Sequence, residues 1–212
     1  MTLKIYGTPA SRTFRTLWMA GELGLQTENI PVDFRKGETR KPDYMTKINP
    51  NGHIPAIQDG DFVMWESLAI NLYLAKKHGG AMALKSLEDE ARAIQWSMWA
   101  LTEAEPLIVS MLMNRIMLPE AQRDAAAANK ASDALKAPMT VLNNTLAGKQ
   151  WLIGSQFSVA DLNVSSVVST ARRVKFDLAP YANVDQWLNR CLGRPAAQAA
   201  DKLRQTAMAQ AA

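Results

Sequence analysis

Cysteine and histidine are scarce in this sequence of 212 residues. The single cysteine, Cys191, excludes an internal disulfide and is typical of a reducing compartment, where it would be a small buried apolar residue. The two histidines, His53 and His78, have neither metal-ligand spacing nor a cysteine partner, so we expect no metal. The sequence also lacks Gly-x-x-x-x-Gly-Lys and Gly-x-Gly-x-x-Gly, which form phosphate-binding loops. Disulfide, zinc and phosphate-loop chemistry are therefore not expected.

Long apolar runs and a strong charge imbalance are absent as well. No apolar stretch approaches the length of a membrane span, and the N-terminus enters a strand pattern without a signal-peptide core. The 24 basic residues only slightly outnumber the 20 acidic ones, and the net charge is +4. The basic clusters at residues 36–41 and 172–175 are short and typical of a solvated surface. We expect a cytoplasmic protein with no membrane or nucleic-acid partner.

The order of the predicted elements indicates two domains. Up to residue 78 the pattern is strand, helix, strand, helix, strand, strand, helix, which is the arrangement of a thioredoxin-like domain. Beyond the linker, every periodic segment has helical spacing. We therefore expect an α/β thioredoxin-like domain over residues 1–79, a linker over residues 80–86 and an all-helical domain over residues 87–212.

The helical half contains two features that bear on its structure. Pro138 lies inside an alanine-rich helical segment and is expected to kink or break it. Ser158-Val-Ala-Asp161 has the form of a capping box, and Phe157 and Leu162 have the spacing of a hydrophobic staple. We expect the box to nucleate a core helix and to carry no chemistry.

The stretch from Asn49 to Ser67 organises the first half. Its turn-rich start, Asn49-Pro-Asn-Gly, precedes Ile54 and Pro55. Proline cannot donate a hydrogen bond to a neighbouring strand, so Pro55 belongs at a strand start or a sheet edge. The backbone groups of Ile54 are then available to an extended peptide. Glu66 and Ser67 open the next helix, where they suit the charged ends of such a peptide.

These residues resemble the glutathione-binding half of the cytosolic glutathione transferases. The resemblance rests on Asn-Pro-x-Gly-x-Ile-Pro-Ala, on Asp-Gly, and on Glu-Ser-x-Ala-Ile-x-x-Tyr-Leu. The Ser-x-Ala-Asp box is similar to one in the family's helical domain, so the resemblance extends from residue 3 to about residue 200. It implies that glutathione is a co-substrate, that a small electrophilic compound is the second substrate, and that the protein is a homodimer. In such a dimer each first domain packs against the partner's helical domain.

The resemblance also suggests which hydroxyl activates the thiol. A thioredoxin-like domain normally has a reactive cysteine at the start of its first helix, but this sequence has Pro-Ala-Ser11-Arg there, so the thiol must come from outside. Ser11 is predicted to cap that helix and to donate a hydrogen bond to the glutathione thiolate, as in the serine-type, theta/phi-like bacterial branch. Tyr6 is the rival, because other branches use a tyrosine near this position. Thr8 and Thr13 are weaker candidates.

The remaining glutathione contacts follow from the same resemblance. Ile54, before a Pro55 expected to be cis, would pair its backbone with the cysteinyl unit. Glu66 would hold the γ-glutamyl ammonium, and Ser67 its carboxylate. His53 stands where relatives carry Lys or Gln, so its contact with the glycyl part stays open.

Two further assignments are left open by the sequence. Lys41 or Arg40 either meets the glycyl carboxylate or solvates its loop. A second-substrate pocket is expected between the domains, although methionines at helical spacing are more often core filler. Its candidate residues are Phe14, Met98, Trp99, Thr102, Met111 and Arg115.

Alternatives to a conjugating transferase use the same site. They are a glutathione-dependent peroxidase or disulfide reductase, and a noncatalytic glutathione-binding protein. An isomerase is disfavoured, because that branch tends to carry a Ser-Ser-Cys loop that is absent here.

Overall fold

The computed structural model describes residues 2–210 and confirms the predicted order of elements in the N-terminal half. Two short 3-10 turns, Phe34–Lys36 and Glu38–Arg40, lie between the second strand and the second helix. The regular elements of this half are β1 (Leu3–Tyr6), α1 (Thr13–Glu22), β2 (Thr27–Ile30), α2 (Pro42–Lys47), β3 (Ala56–Asp59), β4 (Phe62–Trp65) and α3 (Ser67–His78).

The four strands form one sheet in the order β2-β1-β3-β4. Strand β1 is parallel to β2 and antiparallel to β3, and β3 forms an antiparallel hairpin with β4. Ile5 and Ile57 face each other across the two central strands, and both are fully buried. Pro55 immediately precedes β3, which is the strand start predicted for it. This sheet, with α1 and α3, is the predicted thioredoxin-like arrangement.

The second half is helical, as predicted. In residues 85–210 the regular elements are α4 (Leu87–Trp99), α5 (Glu105–Leu112), α6 (Ala125–Thr145), α7 (Val159–Val168), α8 (Thr170–Arg173), α9 (Ala182–Leu192) and α10 (Pro195–Ala209), with π-helical turns at Ala100–Ala104 and Met113–Met117 and a 3-10 turn at Glu120–Gln122. No helix within residues 2–210 is both long enough and apolar enough to cross a membrane.

Two prolines in this half are accommodated in different ways. Pro106 lies in the first turn of α5, directly after the π-helical turn, and at this position a missing backbone N–H breaks no hydrogen bond within α5. Pro138 is predicted to kink or break its helix; α6 continues through it to Thr145, so the predicted break is wrong. The carbonyl that Pro138 leaves without its usual donor belongs to Ala134, which is exposed and can bond water instead.

The capping box is present at the start of α7. The Asp161 carboxylate accepts hydrogen bonds from the Ser158 N–H and the Ser158 hydroxyl, both at 3.0 Å. It also accepts from the Leu152 N–H at 2.8 Å and from the Trp187 Nε1–H at 2.9 Å. Asp161 is therefore the buried centre that joins the loop before α7 to α9.

The last helix, α10, packs against α1. The chain separates into two compact units, one of residues 2–84 with residues 193–210, and one of residues 85–192. Arg194 makes a two-pronged ion pair with Glu22, with both N–O distances at 2.7 Å. The Trp18 Nε1–H donates to the same carboxylate at 2.9 Å. Residues 193–210, which include α10, belong to the first of these compact units.

Candidate functional site

Ser11 lies in a tight turn between β1 and α1. The Ser11 N–H donates to the Thr8 carbonyl at 3.0 Å, and the Ser11 hydroxyl donates to the same oxygen at 2.7 Å. Helix α1 begins at Thr13, its N-cap is Arg12, and that position makes no side-chain cap. Ser11 lies one residue before the assigned N-cap, but its Oγ accepts from the N–H of Thr13, so it still caps the start of α1. The partly exposed Ser11 hydroxyl remains beside the first residue of α1.

Thr13 is the side-chain neighbour of Ser11. Its Oγ1 lies 2.9 Å from Ser11 Oγ, and its N–H donates to Ser11 Oγ at 3.2 Å. Thr13 is fully buried. A Cβ added at Gly7 would lie 2.2 Å from Thr13 Oγ1 and 3.2 Å from Ile54 Cβ. Glycine is thus required where β1 ends, because the side chains of Thr13 and Ile54 both lie against it.

The bond between Ile54 and Pro55 is cis, as predicted. Within residues 2–210, neither the N–H nor the C=O of Ile54 makes a backbone hydrogen bond. The preceding carbonyl, that of His53, accepts from the Tyr44 hydroxyl at 2.8 Å and from Asn49 Nδ2 at 2.9 Å. Tyr44 and Asn49 therefore hold the loop in place through the His53 carbonyl, and the backbone groups of Ile54 remain available.

Tyr44 is suited to this fixing role over a wide pH range. It is buried, and burial, with a smaller contribution from Tyr6, raises the pKa of Tyr44 to about 12. The hydroxyl therefore stays protonated and keeps donating to the His53 carbonyl.

Helix α3 begins at the predicted pair, Glu66 and Ser67. Glu66 is exposed and has φ 75°, a conformation rare outside glycine that marks functional or strained positions. Ser67 is buried, and Arg15 Nη1 donates to its hydroxyl oxygen at 3.3 Å. A guanidinium can only donate, so Ser67 must accept this bond and its own proton remains available to another acceptor.

Tyr6, the rival of Ser11, has a different partner. Its hydroxyl donates to Gln58 Oε1 at 2.9 Å, and its ring meets the Tyr44 ring edge-on. Gln58 in turn donates to the Gly60 carbonyl at 3.1 Å, so Tyr6 is tied to the β3–β4 hairpin. These contacts favour a packing role for Tyr6.

The residues proposed for the glycyl end are exposed. His53 presents its side chain to solvent, and Lys41 is exposed at the start of α2. Arg40 Nη1 donates to the Asn51 carbonyl at 3.2 Å and so contacts the loop before Ile54.

The second-substrate candidates are spread over the two units, and their role stays a prediction. Phe14 is buried in the first unit against Trp18 and under the Arg204 guanidinium. In the helical unit Met98 is exposed and Thr102 donates to the Met98 carbonyl, while Met111 is fully buried. Trp99 packs edge-on against Trp96, and Arg115 donates to the Val174 carbonyl at 2.8 Å.

Several residues that support this site are not indicated by any pattern in the sequence. Arg15, Tyr44 and Asn49 hold Ser67 and the His53 carbonyl in place. Charged residues such as Arg15 are normally exposed, and nothing in the local pattern marks this one as buried. Asn49 lies in the turn-rich motif, but its bond to His53 depends on the loop's path.

Comparisons with known proteins agree with this architecture. The family described as the glutathione S-transferase N-terminal domain matches residues 1–76, and the corresponding C-terminal domain matches residues 104–195. Glutathione S-transferase 3 of Zea mays is 32% identical over 207 residues, which cover 92% of this chain and 91% of that protein. Glutathione S-transferase D6 of Drosophila melanogaster is 30% identical over 186 residues, which cover 85% of this chain and 81% of that protein.

A solved structure shows the same relationship in three dimensions. The glutathione transferase URE2P5 of Phanerochaete chrysosporium superposes with a TM-score of 0.91 at 26% sequence identity. The superposition covers 99% of this chain and 97% of the URE2P5 chain. Together, the matched domains, the curated relatives and the fold show that the chain belongs to the glutathione S-transferase family.

Proposed function

We propose that this protein is a serine-type glutathione transferase in which Ser11 stabilises the glutathione thiolate for attack on a small electrophilic compound. The observation that carries the proposal is that Thr13, whose hydroxyl is bonded to the Ser11 hydroxyl, and Ile54 both place their side chains against Gly7. Ser67, tied to α1 through Arg15, adds a second hydroxyl to the same end of α1. Membership of the family gives the class of enzyme, a transferase that uses glutathione.

The peptide part of glutathione is bound by backbone and hydroxyl groups. The N–H and C=O of Ile54 pair with the cysteinyl unit in the manner of an added strand. Ser67 donates its free proton to the γ-glutamyl carboxylate, and the positive charge of Arg15 lies behind it. Glu66, exposed at the start of α3, accepts from the γ-glutamyl ammonium.

The glycyl end meets a basic group from the start of α2. Because Arg40 already donates to the Asn51 carbonyl, we assign the glycyl carboxylate to Lys41. His53 adds a donor from the loop beside it.

The chemical step needs a thiolate near neutral pH. A free thiol titrates near 8.5, and only its thiolate is a strong nucleophile. The Ser11 hydroxyl donates to the sulfur, and the N-terminal end of α1 adds a partial positive charge. The thiol proton leaves to solvent, the sulfur forms a bond to the electrophilic carbon, and the leaving group departs with its electron pair.

The rest of the proposal follows the family. The second substrate is a small electrophilic compound. The protein works as a homodimer in the cytoplasm.

The function is tested by binding and turnover on the same preparation. Calorimetry should detect glutathione binding, and Ser67→Ala should weaken it about tenfold to a hundredfold, as expected for a charge-assisted hydrogen bond. Ser155→Ala, in an exposed loop, is the control and should leave affinity unchanged. Conjugation of an activated aryl halide should proceed in the wild type. Peroxide turnover without conjugation, or binding without any turnover, would contradict the proposal.

A further inference from the structure

We infer that Thr13 is a positioning residue that aims and polarises the Ser11 hydroxyl through the direct hydrogen bond between the two side chains. The inference rests on the proposed function of Ser11 and extends it to a residue with no direct contact to the sulfur. Its basis is the direction of the hydrogen bonds around Ser11.

The proton positions around Ser11 follow from the partners. A carbonyl oxygen has no proton, so the 2.7 Å contact between Ser11 Oγ and the Thr8 carbonyl must be a donation by Ser11. Ser11 has one hydroxyl proton, and this contact uses it. The 2.9 Å contact between the two hydroxyls must then be a donation by Thr13 to Ser11. The Thr13 N–H supplies a second donor to the same oxygen.

This arrangement suits the step in which Ser11 turns to the thiolate. The Ser11 proton moves from the Thr8 carbonyl to the sulfur, while both Thr13 donors stay on Ser11 Oγ. The Thr8 carbonyl keeps the Ser11 N–H at 3.0 Å, so it is not left without a donor. A hydroxyl that accepts hydrogen bonds donates more strongly, so the chain Thr13 to Ser11 to sulfur stabilises the thiolate more than Ser11 alone.

Burial fixes the Thr13 hydroxyl in place. Thr13 is fully buried, and its Oγ1 fills the space that a side chain at Gly7 would need. A buried, β-branched side chain has little rotamer freedom, so its hydroxyl stays directed at Ser11.

The same helix contains a matched control. Thr16 lies in α1 and is also fully buried, but its hydroxyl oxygen has no hydrogen-bond partner among the described residues. Replacing either threonine by valine exchanges a hydroxyl for a methyl group of similar size. Only the change at Thr13 removes a bond to Ser11.

The test is a titration of bound glutathione, followed by thiolate absorbance. Thr13→Val should raise the pKa of the bound thiol by about 0.2–0.6 unit, a fraction of the Ser11 effect. Thr13→Ala should shift it in the same direction if the valine variant does not fold. Thr13→Ser, which keeps the hydroxyl, and Thr16→Val should leave it at the wild-type value. Equal pKa values in Thr13→Val and Thr16→Val would overturn the inference.

A double-mutant cycle separates this inference from the function on which it rests. In the Ser11→Ala background, Thr13→Val should cause no further shift, because Thr13 acts through Ser11. An undiminished shift there would show that Thr13 acts on the sulfur directly and would overturn the positioning role. If Ser11→Ala itself shifts nothing, the proposed role of Ser11 fails. If Ser11→Ala shifts the thiol and Thr13→Val does not, the inference about Thr13 alone fails.

Discussion

Asp161 accepts four buried hydrogen bonds in the helical unit. The capping box accounts for its bonds to Ser158, and loss of such a cap costs about 0.5–2 kcal/mol. The structure adds the Leu152 N–H and the Trp187 indole, which are buried donors that lie far away in sequence. Asp161 therefore caps the start of α7 and also bonds to two other parts of the helical unit, the loop at Leu152 and helix α9.

Replacing Asp161 by alanine should destabilise the protein by at least about 3 kcal/mol. The reason is that each buried donor left without a partner costs about 1–3 kcal/mol. Asp161→Asn keeps one acceptor oxygen and should cost less. Denaturant unfolding of both variants measures the difference. A loss below about 1 kcal/mol in Asp161→Ala would contradict this account of the network.

The sequence indicates where the proposed glutathione contacts lie more directly than it indicates the residues that support them. Ile54, Pro55, Glu66 and Ser67 belong to one contiguous motif, so their positions follow from a local pattern. Arg15 meets Ser67 across 52 positions of the chain, a contact that no periodicity encodes. The exact start of α1, one residue later than an N-cap at Ser11 would place it, also depends on bonds that the pattern does not show, those from Ser11 to the Thr8 carbonyl.

Among the secondary-structure elements, the β3–β4 hairpin is tied to α3 by an ionic contact. Lys77 Nζ lies 2.6 Å from the Asp59 carboxylate, and the Tyr73 hydroxyl donates to the same oxygen at 3.0 Å. The hydrogen bond from Lys77, followed by that from Tyr73, lowers the pKa of Asp59 below its ordinary value of 3.8. The charged form of Asp59 is thus favoured in the folded state.

This contact should make stability sensitive to acid. A lowered folded-state pKa stabilises the protein above the unfolded value of 3.8, and that contribution is lost as pH falls through the folded pKa. Asp59→Asn should be less stable than the wild type at pH 7, and the gap should close below about pH 4. Thermal unfolding of both proteins across pH 2.5–7 measures this difference in stability. A gap that stays constant with pH would show that the charge of Asp59 is not the cause.

The attachment of α10 to α1 is a second relation between elements that the structure reveals. The Glu22 carboxylate is largely buried and accepts from Arg194 and Trp18. Arg194→Ala should cost about 1.5–3 kcal/mol, because it removes charge-assisted bonds to a carboxylate with little access to water. Lys202→Ala, at an exposed position of α10, is the control and should change stability by less than about 0.5 kcal/mol. Equal unfolding midpoints for the two variants would contradict the role of the ion pair.

Helical spacing of apolar residues identifies a helix but does not show which other elements that helix packs against. The second half is predicted to be helical throughout, and α10 is helical, yet the pattern carries no information about its packing against α1. The continuity of α6 through Pro138 has a similar cause, since an exposed carbonyl and the buried face of Leu135, Met139 and Leu142 outweigh the lost hydrogen bond.

For the whole molecule, the two-part organisation and the family follow from ordered motifs. Both family domains match, in the order that the sequence analysis expected. The domain boundaries proposed from the sequence, with a linker over residues 80–86, remain a prediction. By their contacts, residues 193–210 group with the first compact unit. The identity of the electrophile is not encoded in a motif, since methionines and aromatics serve equally as core and as pocket lining.

The central claim is that Ser11, and not Tyr6, donates to the glutathione thiolate. The measurement is thiolate absorbance of bound glutathione titrated against pH in wild type, Ser11→Ala and Tyr6→Phe. Ser11→Ala removes a charge-assisted bond worth about 1.5–3 kcal/mol, so the pKa of the bound thiol should rise by about one to two units. Tyr6→Phe should leave it unchanged, because the Tyr6 hydroxyl is bonded to Gln58. A rise in Tyr6→Phe with none in Ser11→Ala would contradict the claim.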